Sequence, residues 1–214
     1  MTGDAERSQA DRRLELAAIV LLAVSAVATA WCSYQATRWN GEQTKQSGTT
    51  NRLRLEAGRA QGLAEAQTQV DLATFVQWVD AYALGRTELT DFYARRFRKE
   101  FRPAFEAWLA TRPLKNPNAP LSPFALPQYR LAATVEAERL DAEAAASSAL
   151  RDRDIQRQSN YVHGVVLFAV ALFLAGVGTK LDSRGLRRGL LACGYVVFLG
   201  TVAWIATFPI NVAV

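Results

Sequence analysis

Three stretches of the chain carry no Asp, Glu, Lys or Arg: 16–36, 161–179 and 190–210. Each matches the roughly 20 residues that a helix needs to cross a hydrocarbon core. The first opens on the apolar run Leu16 to Trp31, with Trp31, Tyr34 and Trp39 where an aromatic belt belongs. Ala28-Thr29-Ala30 also fits a signal-peptide cleavage site. The apolar character continues past it, so the segment reads as an uncleaved signal anchor. The second run is Tyr161 to Thr179 and the third Leu190 to Ile210, closed by Pro209. With no ionisable residue deep in any run, the pattern weighs against a transporter or pump.

Between the first two runs the period is helical. Leu72, Phe75, Val76, Val79 and Tyr82 follow i, i+3, i+4 spacing, so the first span is expected to continue as a helix until Gly85 breaks it. Gly41 and Gly48 are the weak points along the way. Thr87 is a candidate N-cap for a second helix, along which Tyr93, Phe97, Phe101 and Phe105 recur every four residues, with Trp108 widening the stripe. A kink or new start is expected at Pro103, which lacks the N–H of an interior helical position. The stripe reads as helical core, with a ligand groove as the competing reading. Five prolines in 112–127 predict an extended or turning crossover. From Gln128 to Tyr161 there is no Gly or Pro, and a helix is expected to run straight into the second span.

The predicted fold class is all-α: an integral membrane protein with three transmembrane helices and a long helical extramembrane hairpin. The divisions are an N-terminal segment 1–15, spans 16–36, 161–179 and 190–210, a helical domain 37–160, a basic loop 180–189 and a tail 211–214. The span-length runs exclude an ordinary soluble enzyme and a disordered chain.

Charge orients this arrangement. Lys and Arg total 25 against 20 Asp and Glu. Lys180, Arg184, Arg187 and Arg188, against Asp182, make the connection between the second and third spans strongly basic, which favours the cytoplasm. That puts the N-terminus inside and the central domain outside. Arg38, Lys45, Arg52 and Arg54 argue the other way, but long translocated domains escape the charge rule. Arg outnumbers Lys 21 to 4, pointing to a high-GC bacterial source and thus to a bacterial inner membrane. Arg95, Arg96, Arg98, Lys99 and Arg102 form a cationic face suited to anionic lipid or an acidic partner, with a solvated helix face as the bland alternative. No nucleic-acid-binding motif accompanies them.

Candidate chemistry is sparse. Cys32 and Cys193 are expected at opposite membrane faces and cannot bridge. His163 is the only histidine and sits at a span boundary. No nucleophile elbow, zinc spacing, Walker A or dinucleotide motif is present. Glu136, Glu138, Asp141 and Glu143, interspersed with Arg139, read as a solvent-facing helix side. The chain is expected to be no enzyme and to take no cofactor.

The most distinctive string runs from Trp31 through Tyr34, Gln35 and Arg38 to Trp39. It is read as a membrane-surface motif, with Gln35 and Arg38 reaching lipid phosphate or the second long helix. Together with the aromatic helix and proline stretch, it resembles uncharacterised bacterial three-span membrane proteins of domain-of-unknown-function type. That resemblance implies one large helical insertion and carries no activity. Two long helices bury only one stripe each, so homo-oligomerisation is expected, with Ala171, Ala175, Gly189 and Gly200 at span contacts. The expected role is an oligomeric structural or accessory envelope component. A ligand sensor working with a separate signalling partner, or an oligomeric pore, are the alternatives.

Overall fold

The structure, a computed structural model, describes residues 2–113, 115–181 and 183–211, with the side chains of 2–8, 10 and 11 outside the description. The expectations resting on Asp182 and on residues 212–214 of the tail lie outside it too. The described chain is helical throughout, without a strand: α1 Thr2–Ala83, α2 Thr87–Arg96, α3 Arg102–Ala110, a 3-10 turn Pro123–Ala125, α4 Ala132–Gly178 and α5 Arg184–Ile205. Three of these, α1, α4 and α5, are long and apolar enough to cross a membrane. Gly41 and Gly48 do not interrupt α1. It ends where Gly85 takes a left-handed φ of 66°, which glycine adopts without a Cβ clash.

The chain divides into two compact units, residues 1–47 with 148–214, and residues 48–147. In the second unit, Leu53 and Ala57 of α1 pack with Leu140 and Ala144 of α4. Thr50 Oγ1 donates to Ser147 Oγ at 3.0 Å on the same line. Ala64 packs with Leu131 and Ala133. Small residues on both helices let the backbones approach closely.

The rest of this unit has the new start expected near Pro103, and the break redirects the aromatic stripe. Helix α2 ends at Arg96, and Phe97 takes extended backbone. Helix α3 starts at Arg102 with Pro103 in its first turn, where a missing N–H leaves no bond unmade. Phe97, Phe101 and Phe105 therefore converge around a corner instead of lining one face. Arg86, not Thr87, occupies the cap position of α2. Helix α4 begins at Ala132, so Gln128 to Leu131 belong to the crossover.

In the first unit, parts of α1, α4 and α5 pack as three helices. Cys32, Ala36, Trp39, Tyr161 and Phe168 form one buried cluster. Ala18, Leu21, Ala175 and Leu191 form another. The close approaches fall at Ala171 and Ala175, both fully buried. Two glycines join them: a Cβ on Gly164 would meet Ile205 at 2.5 Å, and one on Gly194 would meet Leu21 at 3.1 Å. Gly189 and Gly200, expected at span contacts, face open space. Helix α5 starts six residues before the predicted third span. Arg184, Arg187 and Arg188 thus lie on its first turns, and the connection 180–189 is mostly helix. The helix also stops short of Pro209, which has no N–H for the Ile205 carbonyl four residues earlier, and the Phe208 N–H bonds that carbonyl at 2.9 Å instead.

Candidate functional site

The unit 48–147 is built around an aromatic core. Phe75 and Trp78 of α1, Phe97 and Phe101 of the corner, and Phe105 and Trp108 of α3 are all buried together. Most ring pairs meet edge to face, as at Phe97–Phe105 (4.7 Å) and Trp78–Phe105 (4.8 Å). This geometry brings the positive ring edge onto the negative face. The proline-rich crossover is part of the core: Phe124 stacks on Phe101 at 5.1 Å, and Pro123 is buried. Trp108 Nε1 donates to the Pro120 carbonyl at 2.8 Å, so its single donor is used internally.

Beside this core lies a polar clasp that the sequence patterns missed. Asp71, fully buried on α1, accepts from Arg98 Nη1 at 2.8 Å. The Tyr129 hydroxyl stands 3.1 Å from both Asp71 Oδ2 and Thr68 Oγ1. Arg98 also pairs with Glu100, whose Oε1 accepts the Ala132 N–H at 3.0 Å. One corner thereby ties α1 to the first N–H of α4, a donor that no helix satisfies internally. Burial pushes the Asp71 carboxyl above its ordinary value, opposed by the Arg98 charge and by the bonds from Tyr129 and Arg98. Burial likewise raises the Tyr129 phenol, keeping it a donor at neutral pH.

On another side of the core, Trp78, Val79, Tyr82, Trp108, Leu109 and Pro113 wall a cleft of about 360 Å³, with Arg112 and Lys115 also lining it. Trp78 and Tyr82 are stacked at 5.2 Å, which holds both rings in place. Arg112 follows the end of α3 with a φ of 53°, the only positive φ outside glycine among the described residues. For a non-glycine residue that conformation costs roughly 1–2 kcal/mol.

The cationic face takes a different form from the one expected. Arg98 is turned into the clasp. Arg95, Lys99 and Arg102 are exposed, Arg102 donates to the Arg95 carbonyl at 3.3 Å, and Arg96 sits 3.8 Å over the Phe92 ring. They flank a break between two helices, so no single helix face carries all five. Tyr93 packs against the aromatic core from α2.

The string at Trp31 is also divided by its surroundings. Trp31 and Tyr34 are exposed and Arg38 is half-buried, but Gln35 and Trp39 are buried. Gln35 is fully buried and bonded to the chain itself. Its Oε1 accepts the Asn211 N–H at 3.0 Å and its Nε2 faces the Asn211 carbonyl at 3.5 Å. Arg157, itself paired with Asp154 at 3.1 Å, lies 4.5 Å over the Trp39 ring.

Both cysteines are free. His163 is exposed, its Nδ1 2.7 Å from the Ser159 carbonyl. Glu136 and Glu143 pair with Arg139 on an exposed helix side. No group of three or more acidic, cysteine or histidine side chains is placed to hold a metal among the described residues. Comparison with protein-family models, with characterised proteins and with solved structures returned no match.

Proposed function

We propose that the protein is a non-enzymatic, multi-pass membrane protein that self-assembles through its helical unit, serving as a structural or accessory component of a bacterial envelope. The observation that supports this is a set of apolar side chains on α1 that the described residues leave exposed. Leu55, Leu63 and Val70 are each more than half exposed and recur at seven- and eight-residue steps, about two helical turns. They are off the line of Leu53, Ala57 and Ala64, which pack against α4 and the crossover. Such a seam matches that of a second copy of the same helix, and anchoring in one membrane raises the effective concentration of copies.

The proposed orientation keeps the N-terminus and the α4–α5 connection cytoplasmic and the helical hairpin outside. Arg184, Arg187 and Arg188 on the first turns of α5 oppose the helix dipole. An anionic cytoplasmic leaflet would compensate them. The kinship with uncharacterised three-span proteins belongs to the same proposal.

The test is cross-linking in native membranes. Leu63→Cys is placed in a chain carrying Cys32→Ser and Cys193→Ser, and mild oxidation follows. A disulfide-linked dimer is expected, and Leu55→Ser with Val70→Ser should abolish it. A monomer under every oxidation condition, with a single-chain mass after solubilisation, would refute self-assembly through this face.

A further inference from the structure

We infer that the cleft beside Trp78 and Trp108 binds a small amphipathic anion, an apolar body of aromatic or medium-chain aliphatic character ending in one carboxylate. The site goes beyond the self-assembly proposed above and does not depend on it, since the Leu55–Leu63–Val70 face contributes none of its walls.

Three features carry the inference. The first is size and lining. About 360 Å³ falls within the range of small-ligand pockets, which are apolar with a few polar groups that set orientation. Trp78, Tyr82, Trp108 and Leu109 supply apolar wall, and the one donor of Trp108 is already bonded to Pro120. The second is charge. Among the described residues, the only charged side chains lining the cleft are Arg112 and Lys115, and neither forms an ion pair with another of them. A carboxylate between them would gain charge-assisted hydrogen bonds, and Arg can offer a two-pronged one. The third is backbone. Arg112 holds the left-handed position just after α3 that glycine usually fills. An arginine kept in that conformation puts a cation at the cleft where an unstrained residue would not be needed, and stored strain of this kind collects at binding sites.

The experiment uses the full chain in lipid nanodiscs, titrated with 4-phenylbutyrate and with decanoate. Trp fluorescence is followed and empty nanodiscs are subtracted. Saturable binding is expected for at least one carboxylate, with 4-phenylbutan-1-ol and decanol at least tenfold weaker. Tighter 4-phenylbutyrate points to a free aromatic acid as the source, and tighter decanoate to a lipid-derived acid. Arg112→Gly separates the site from the fold. It should raise the melting temperature by relieving the left-handed backbone, yet weaken the carboxylate about tenfold by removing one charged hydrogen bond. Lys115→Gln should weaken it without moving the melting temperature. Equal affinity for acid and alcohol, unchanged affinity in both variants, or no saturable binding at all would each overturn the inference. The cross-linking result at Leu63 is read separately, so loss of either reading leaves the other standing.

Discussion

Arg98 Nη1 meets Asp71 Oδ2 at 2.8 Å across 27 positions of sequence, and this is where the corner between α2 and α3 is fastened to α1. Asp71 is fully buried, while the Arg98 side chain keeps a quarter of its surface. The pair therefore acts as a latch whose carboxylate depends on its cation. Glu100 extends the latch to α4 through the Ala132 N–H.

Removing the cation alone should be costly. Arg98→Ala is expected to destabilise the unit by about 3 kcal/mol, because a buried charge loses its partner. In an Asp71→Asn background the same change should cost at least 1 kcal/mol less, since contacting residues couple. Urea unfolding of the four chains, followed by Trp fluorescence, measures the difference. Strictly additive costs would show that the two side chains do not act as a pair.

The same carboxyl sets a pH dependence. Burial raises the Asp71 value in the folded chain above its ordinary one, with Arg98, Glu100 and Tyr129 as its charged and titratable neighbours. The folded state thus holds the proton more tightly than the unfolded state. Its contribution turns unfavourable as pH rises from the ordinary carboxylate value through the raised one, and acidification across that window removes the penalty. Asp71→Asn should flatten this part of the stability–pH curve. An unchanged slope in thermal melts would assign the dependence to other groups.

The aromatic core predicts a sharp contrast between two apolar residues. Phe101 is fully buried and touches rings from α1, α3 and the crossover. Phe101→Ala should cost about 3–5 kcal/mol. Leu121 is 98% exposed in the same unit, and Leu121→Ser should stay within about 0.5 kcal/mol. Comparable losses at the two positions, measured by denaturant midpoint, would mean the rings are not the core.

Gln35 makes a local prediction in the three-helix unit. It is the fully buried partner of both backbone groups of Asn211. Gln35→Leu keeps the volume but leaves these groups with fewer partners, at a cost of about 1–3 kcal/mol confined to that contact. Hydrogen exchange should speed up across residues 206–211 while the backbone amides around Tyr195, whose hydroxyl donates to the Ala17 carbonyl at 2.8 Å, stay protected. Unchanged exchange at 206–211 would mean that Gln35 does not hold the segment.

The chain's own pattern determined the long elements. The three charge-free runs predict α1, α4 and α5, and the absence of Gly and Pro after Gln128 predicts the continuity of α4, because helical period and span length are local properties. Gly85 and Pro103 marked breaks that the structure places at or beside them, since both act through their own backbone. The grouping of side chains was not local. A four-residue spacing from Tyr93 to Phe105 is the same for one helix as for two helices around a corner. Only packing against Phe75, Trp78 and Phe124 selected the corner. Asp71 gave no sequence signal and Gln35 stood out without its partner, because a single polar residue on a helix looks solvated until its distant partner is in place. The cleft, too, is tertiary: its walls come from α1 and α3, and its cations follow a turn whose handedness depends on how α3 ends against the aromatic core.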